Sequence, residues 1–438
     1  MVRVRRSAAM QVVLNGRRVG IFERSASGAT SFTYDAAWLD WEHVFPISLS
    51  LPLRHQKFTG APVITVFENL LPDNDDVKKR LAQRVQADGV DAFSLLAKIG
   101  QDCVGALQFL PREAVIEPVG RPVGREVGDD AIAEILRNLR NNPLGVEVSD
   151  TRDFRISIAG AQEKTALLYR EGQWFEPNGA TPTTHILKPQ IGVLPNGLDM
   201  TRSVENEYYC MRLCAALGLP VATTEILDFE DERVLCIERF DRRWTEDGRL
   251  LRLPQEDFCQ ALSIPPIRKY NRDGGPGIVE SLRLLQASNK PEADQRLFLK
   301  AQIIFWLMAA TDGHAKNFSI FLQPEGRFEM TPLYDILSLQ PDFDRGHIKR
   351  RELKLAMAVG DRRHYRLFDI LPRHFGQSVK LASLSPKIVD DIFEEVESLL
   401  EGALRETFME MPDDFPSSIA ESVAAAMRSR IRSYSRAS

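Results

Sequence analysis

The sequence is poor in the residues that build metal centres and covalent scaffolds. Its 438 residues hold five cysteines and seven histidines. Cys103, Cys210, Cys214, Cys236 and Cys259 are odd in number and sit mostly in apolar runs. None forms a CxxC pair facing a second such pair, which argues against a zinc ribbon or a disulfide framework. Cys210 and Cys214, four apart on an expected helix, read as packing residues, and the compartment expected is the reducing cytoplasm. No apolar run approaches the roughly 18 residues of a membrane span. The basic opening Met1 to Arg6 is followed by no apolar h-region, so it is not a secretory signal, and Met10 offers an alternative start. An excess of one charge is missing too: 56 basic residues face 61 acidic ones, a net charge of −5. The whole molecule is therefore not an electrostatic nucleic-acid binder, and any such surface must be a local patch. Repeats and low-complexity tracts are absent.

What is present is an ordinary globular composition, 44% hydrophobic and 27% charged, at a length that one core rarely holds, so two or three units are expected. Val12–Leu14 and Val19–Phe22 flank Asn15-Gly16, a two-residue hairpin signal. Thr30, Phe32 and Tyr34 alternate as a half-buried strand does. Phe67–Asp73 precedes a charged helix containing Val77 to Leu81. Residues 1–110 thus read as a small α+β unit. Residues 111–128 lack a usable period and read as a connector, followed within 111–150 by a helix carrying Ile132, Ile135, Leu136 and Leu139, with Asp129 or Asp130 as cap. In 151–240, strands surround a helix expected to start at Ser203 as N-cap and to stop at Gly218-Leu219-Pro220. Val221–Leu227 and Val234–Ile237 read as strands around the acidic turn 230–232. The remainder, 241–438, is mainly helical, with periodic stretches at Ile278–Leu285, Leu297–Ala310 and Ile388–Leu404 and a last amphipathic helix after Ser417. A β-rich lobe followed by a helical lobe is the usual arrangement around a nucleotide cleft.

The most informative stretch is Thr311-Asp312-Gly313-His314-Ala315-Lys316-Asn317, delivered by a very apolar helix and followed, after a short hairpin, by Tyr334-Asp335. An aspartate, an asparagine five residues later, a hairpin and a second aspartate is the order that phosphoryl transfer by a kinase uses. One carboxylate orients the acceptor hydroxyl, while an amide oxygen and a second carboxylate hold Mg²⁺. Small-molecule phosphotransferases share a similar order. Upstream, Ala159-Gly160-Ala161-Gln162-Glu163-Lys164 is a small-residue turn whose N–H groups can approach phosphate. Lys188 closes the strand-like run Thr183–Lys188, and either Glu205 or Glu207 on the next helix could pair with it. Glu238-Arg239-Phe240 lies where the chain should cross between lobes.

These segments together resemble the HipA family of toxin kinases, partners of small HipB-type antitoxins. The resemblance is carried by Asn69–Asp73, Arg155–Ala166, Thr183–Lys188, Asn206–Cys210, Glu238–Arg242, Leu253–Asp257, Thr311–Asn317, Leu353–Met357 and Pro372–Phe375. It implies a two-lobed, protein-kinase-like α+β fold with a β-rich N-terminal lobe, a small N-terminal α+β subdomain and an all-α C-terminal lobe. It implies ATP and Mg²⁺ as cofactors, Asp312 as the catalytic residue, and Asn317 and Asp335 as metal ligands. Lys188, His314, Lys316 and Tyr334 would join residues 159–164 and 238–240 in binding ATP, and Ser157 would be autophosphorylated. The implied partners are a helix-turn-helix antitoxin dimer, operator DNA through that complex, and a protein substrate such as glutamyl-tRNA synthetase or another aminoacyl-tRNA synthetase. The implied outcome is stalled translation and growth arrest or persistence. Lys380 falls at one basic position expected to touch DNA; at the next stands Ser383. A separate basic patch (Lys349, Arg350, Arg351, Arg362, Arg363, Arg366) reads as a solvated face, and the tail Arg428, Arg430, Arg432 and Arg436 as frayed. A catalytically silent co-repressor is the alternative from another class.

Overall fold

The structure is a computed structural model and describes residues 7–141, 156–157, 162–194 and 197–435, the side chains at 140–141, 156–157 and 435 excepted. Strands β1 (Ala8–Leu14) and β2 (Arg17–Arg24) form the first hairpin. Asn15 and Gly16 take φ of +45° and +75°, the left-handed pair that a two-residue turn needs to match strand twist. With β3 (Thr30–Tyr34), β4 (Phe58–Thr59) and β6 (Gln108–Pro111) they make a five-stranded sheet ordered β4-β3-β2-β1-β6. Alternation along β2 and β3 turns Phe22 and Phe32 inward. They meet Phe67 of helix α2 (Ala61–Glu68), Phe93 of α4 (Ala92–Ile99) and Phe109 of β6, with ring centroids from 4.3 to 6.2 Å apart. Each such buried ring contributes on the order of 1.5–3 kcal/mol. Between those helices lie α3 (Asp75–Arg84), capped by Asn74, and the short α1 (Ala36–Leu39) precedes them.

The second sheet has six strands in the order β14-β15-β11-β9-β10-β7. They are β7 (Gly124–Val127), β9 (Thr165–Arg170), β10 (Gln173–Pro177), β11 (His185–Pro189), β14 (Thr224–Phe229) and β15 (Glu232–Glu238). The expected connector at 111–128 therefore contains an edge strand. β7 has no alternating pattern of its own and exists through its pairing with β10. Helix α5 (Asp129–Asn141) covers one face with Ile132, Leu136 and Leu139. Asp129 and Asp130 lie within its first turn rather than capping it, and there their charge complements the helix N-terminus. Helix α6 (Ser203–Ala216) packs on β14 and β15. Ser203 is its first residue, not its cap, because Gln190 just beyond β11 accepts from the Val204 N–H instead, at 2.9 Å. Gly218, with φ of +78°, ends it. A two-residue strand β8 (Ile156–Ser157) runs parallel to β5 (Asp102–Cys103), and β12 (Gly192–Val193) pairs with β13 (Asp199–Met200).

The C-terminal lobe is built on α7 (Phe258–Ala261), α8 (Ile278–Leu285), α9 (Pro291–Met308), α10 (Gln340–Asp344), α11 (Pro372–Leu381), α12 (Lys387–Met409) and α13 (Ser417–Ser435). Three small antiparallel sheets interrupt it: β16–β17 (Arg242–Trp244, Leu250–Arg252), β18–β19–β20 (Gln255–Asp257, Ser319–Leu322, Phe328–Met330) and β21–β22 (Lys354–Val359, His364–Arg366). The expectation of a frayed tail is corrected. Arg430 donates to the Leu307 carbonyl and the Gln340 amide oxygen, both at 2.6 Å, which anchors α13 to α9 and α10. Arg436 lies outside the described residues. No helix among the described residues is long and apolar enough to cross a membrane.

Buried charge joins the units. Asp102, from β5, accepts hydrogen bonds from Arg242 (2.8 Å), Arg252 (3.0 Å) and Arg239 (3.3 Å) and from Thr183. Asp241 receives Arg239 from the other side at 2.8 Å. This network fixes the end of β15, where the chain leaves the sheet for the C-terminal lobe.

Candidate active site

A cleft of about 550 Å³ lies between the six-stranded sheet and the helical lobe, within the size range of small-molecule sites. Lys188, the fourth residue of β11, points into it and is buried. Its Nζ donates to Glu207 of α6 at 2.8 Å and to Asp335 at 2.6 Å. The choice between the two glutamates is thereby made. Glu205 turns to Gln190, Arg202 and Arg233 instead. Burial works against the charge on Lys188, but Asp335 and Glu207 outweigh it and hold the ammonium above its ordinary pKa. Burial would raise Asp335, yet Lys188 and Lys164 hold it well below the usual carboxylate range. Glu207 is shifted upward by burial, with Lys188 opposing. Asp335 sits at φ of +61°, in the left-handed region that a non-glycine residue occupies at a cost of about 1–3 kcal/mol. Its carboxylate remains partly open to the cleft, with 45% side-chain exposure.

Across the cleft, α9 ends at Ala309, whose left-handed φ of +59° turns the chain into the loop 311–317. Asp312 is open to solvent at 62% side-chain exposure and accepts from the Tyr270 hydroxyl at 2.7 Å. The Asn317 amide nitrogen donates to the Asp312 carbonyl at 2.9 Å, which leaves the amide oxygen as its remaining polar atom. His314 is buried, with no hydrogen-bond partner for Nδ1 among the described residues, and burial lowers its pKa, so the imidazole is neutral. The Lys316 ammonium is tied to Asp73 (2.5 Å) and the Asn69 carbonyl (3.2 Å). The Tyr334 hydroxyl donates to the Lys316 carbonyl at 2.8 Å, and its ring tilts against Phe240.

Glu238, Arg239 and Phe240 line the cleft with Gln162 and Lys164. The Arg239 guanidinium is committed to Asp102 and Asp241, so its backbone is what the cleft can use. Gln162 donates to the Pro189 carbonyl at 3.0 Å. Lys164 is lowered to about 8 by burial and by the neighbouring Lys188 charge. Glu163 lies away from the cleft wall, near Arg80 and Arg84, whose charges oppose the upward shift of burial. Ala159, Gly160 and Ala161 lie outside the described residues, as does the Ser157 side chain. Lys380 is exposed on the last turn of α11, and Ser383 follows at φ of +64°.

The donor set fits a magnesium nucleotide. An ionised Asp335 carboxylate and an Asn317 amide oxygen are hard ligands of the kind Mg²⁺ takes in ones and twos beside phosphates and water. Lys188 and Lys164 would supply positive charge for the phosphate oxygens of such a ligand. Sequence reasoning gave no role to Asp73, Lys269 and Tyr270. Asp73 lay in a quoted motif, but nothing local marked the lysine and tyrosine.

Residues 10–110 match the HipA N-terminal domain and residues 156–403 match the HipA-like C-terminal domain. This chain belongs to the HipA family. Over 359 residues it is 37% identical to a putative kinase, Y4mE, of Sinorhizobium fredii, covering 81% of each chain. It is 32% identical over 341 residues to the serine/threonine-protein kinase toxin HipA of Shewanella oneidensis, covering 74% of this chain and 72% of that one. A solved structure of the Shewanella oneidensis MR-1 toxin–antitoxin system HipA, HipB and its operator DNA contains a chain of the same fold. The TM-score is 0.79 at 25% identity, over 97% of this chain and 96% of that one. The two-lobed α+β architecture is thus the HipA fold, and the family is one of kinase toxins.

Proposed function

We propose that this chain is an ATP- and Mg²⁺-dependent serine/threonine protein kinase that acts as the toxin of a HipA–HipB-type pair. The observation that carries the reading is Lys188 bridging Glu207 and Asp335 in the cleft that Asp312 and Asn317 face. Asp312 accepts the proton of a serine or threonine hydroxyl as that oxygen bonds to the γ-phosphorus and the bond to the bridging oxygen breaks, leaving ADP. Lys188 and Lys164 hold phosphate oxygens, and the backbone of 238–240 meets the base. Asn317 and Asp335 would hold Mg²⁺, which would supply positive charge against the negative charge of the phosphates. Preorganised charges of this kind supply most of the rate enhancement in such sites.

The substrate proposed is a translation protein, an aminoacyl-tRNA synthetase such as glutamyl-tRNA synthetase, whose modification arrests growth and brings on persistence. Autophosphorylation at Ser157 would switch the kinase off, since about −1.5 to −2 of added charge changes which basic groups that segment prefers. A HipB-like helix-turn-helix dimer would bind the chain on operator DNA and make the pair an autorepressor, as the Shewanella complex of HipA, HipB and operator DNA suggests.

Incubation of dephosphorylated protein with ATP and Mg²⁺, followed by intact mass, tests the activity. One phosphate on Ser157 that is absent in Asp312→Ala supports it; no mass change in wild type favours a silent co-repressor. Growth arrest on expression, relieved by Asp335→Ala but not by Lys380→Ala, ties toxicity to catalysis. Phosphoproteomics after brief induction identifies the target.

A further inference from the structure

Asp73 belongs to the N-terminal unit, yet its carboxylate is spent in the active-site floor. Oδ2 accepts from Lys269 at 2.8 Å and Oδ1 from Lys316 at 2.5 Å, across sequence separations of 196 and 243. The aspartate side chain is 11% exposed and that of Lys316 4%. Burial alone would raise the carboxyl, but the two ammonium groups hold it down at about 2. The contact is reinforced by Asn69, which receives Lys316 at its carbonyl and donates its amide to the Ile264 carbonyl at 2.9 Å. Thr65 meets Ser263 at 3.0 Å.

The two lysines sit on different segments that converge on Asp312. Lys316 precedes Asn317, which holds the Asp312 carbonyl. Lys269 precedes Tyr270, whose hydroxyl holds the Asp312 carboxylate and is that carboxylate's one hydrogen-bond donor among the described residues. The segments are also stitched directly, by the Ala315 N–H to the Lys269 carbonyl at 3.3 Å. The Tyr270 ring is wedged edge-on against His314 at 5.0 Å, with the Lys269 and Arg272 cations 5.4 and 5.1 Å from its centroid. Asp312 is otherwise exposed, and an exposed aspartate has no fixed rotamer of its own. Mere cement between units would be served as well by apolar packing, since buried ion clusters seldom add net stability.

We propose that Asp73, Lys269 and Tyr270 form a positioning relay through which the N-terminal unit orients the carboxylate of Asp312 toward the acceptor hydroxyl. The relay rests on the kinase reading of Asp312. It makes the N-terminal unit part of the phosphoryl-transfer machinery, although no residue of the relay needs to touch the reacting atoms.

Two variants of the full chain test it. Tyr270→Phe keeps the ring and removes only the donor. Its kcat should fall about 10- to 100-fold, the loss expected of a misplaced reacting group, while Mg-ATP affinity and thermal midpoint stay at wild-type values. Asp73→Asn should speed amide hydrogen exchange in residues 311–318 and leave residues 235–241 unchanged, with Asp73→Glu restoring part of the protection. Lys57→Ala, at a surface ion pair with Glu23, is the unaffected control. Wild-type kcat in Tyr270→Phe, a parallel loss of kcat and Mg-ATP affinity, or wild-type exchange in Asp73→Asn overturns the relay. If Asp73→Asn does not fold, Tyr270→Phe decides. If wild type transfers no phosphate at all, the kinase reading has failed, and the exchange measurement alone decides whether the relay holds the loop.

Discussion

Lys188 on β11 and Glu207 on α6 are joined by a 2.8 Å ion pair in the interior, with side chains 7% and 5% exposed. The pair locks the helix to the sheet at the point where the cleft begins. Lys188→Met should lower phosphoryl transfer by about 10²–10³-fold, the loss typical of removing one preorganised charge from a reaction site. Glu207→Gln should lower it less, because Asp335 still grips the ammonium. Steady-state kinetics with a protein acceptor would show the order, and equal losses in the two variants would contradict it.

Asp102 pairs with three buried arginines, and Asp102→Asn leaves Arg239 and Arg242 with Asp241 and Arg252 with no carboxylate among the described residues. An uncompensated buried charge of this kind costs about 3–5 kcal/mol. Urea denaturation should show that loss. Nucleotide affinity should fall with it, since Arg239 shapes the crossing between lobes.

Glu256 links β18 to the N-terminal unit by accepting from the Leu49 N–H at 2.8 Å. Burial pushes its carboxyl from the ordinary 4.5 up to about 8, and burial likewise raises Asp257 from 3.8 to about 7. At pH below 4.5 the Glu256 carboxyl is protonated in both folded and unfolded chains. Between about 4.5 and 8 the unfolded chain has released this proton and the folded one has not, so stability falls as pH rises. Glu256→Gln retains the acceptor for Leu49 and removes that slope. The variant should melt higher than wild type at pH 8 and approach it near pH 4.5. Thermal melts across that range decide, and a constant offset at every pH would contradict the assignment.

All five cysteines are buried, and burial pushes the thiols of Cys103, Cys210 and Cys236 up to about 12. Only the thiolate alkylates readily. Native protein at pH 8 should therefore take up almost no iodoacetamide, and five equivalents after denaturation. Rapid labelling of the native chain would contradict this packing.

Much of the architecture follows from local pattern. The Asn15-Gly16 hairpin, the strand at Thr30–Tyr34, the helix closed by Gly218 and the apolar period of α9 and α12 each express a preference of a few consecutive residues. Proximity in sequence also brought Asp312 and Asn317 into one loop. The strand β7 was invisible because its four residues have no alternating pattern, and only the hydrogen bonds of β10 make them a strand. Arg430 read as part of a loose tail because its partners, the Leu307 carbonyl and Gln340, lie on other helices.

The order of polar residues by itself marked Lys188, Asp312, Asn317 and Asp335 as candidates for one site, and all four line one cleft; the long resemblance determined the family. Tertiary structure decided their partners. Glu205 and Glu207 are two residues apart on a helix of 3.6 residues per turn and so face nearly opposite ways. Nothing in either residue's neighbourhood says which way points at Lys188; the docking of α6 on β15 does. Asp73 reaches Lys269 and Lys316 only because the N-terminal unit folds back over the loop 311–317. Side-chain contacts over some 200 residues leave no local period to read, and they form where the buried surfaces of two units meet.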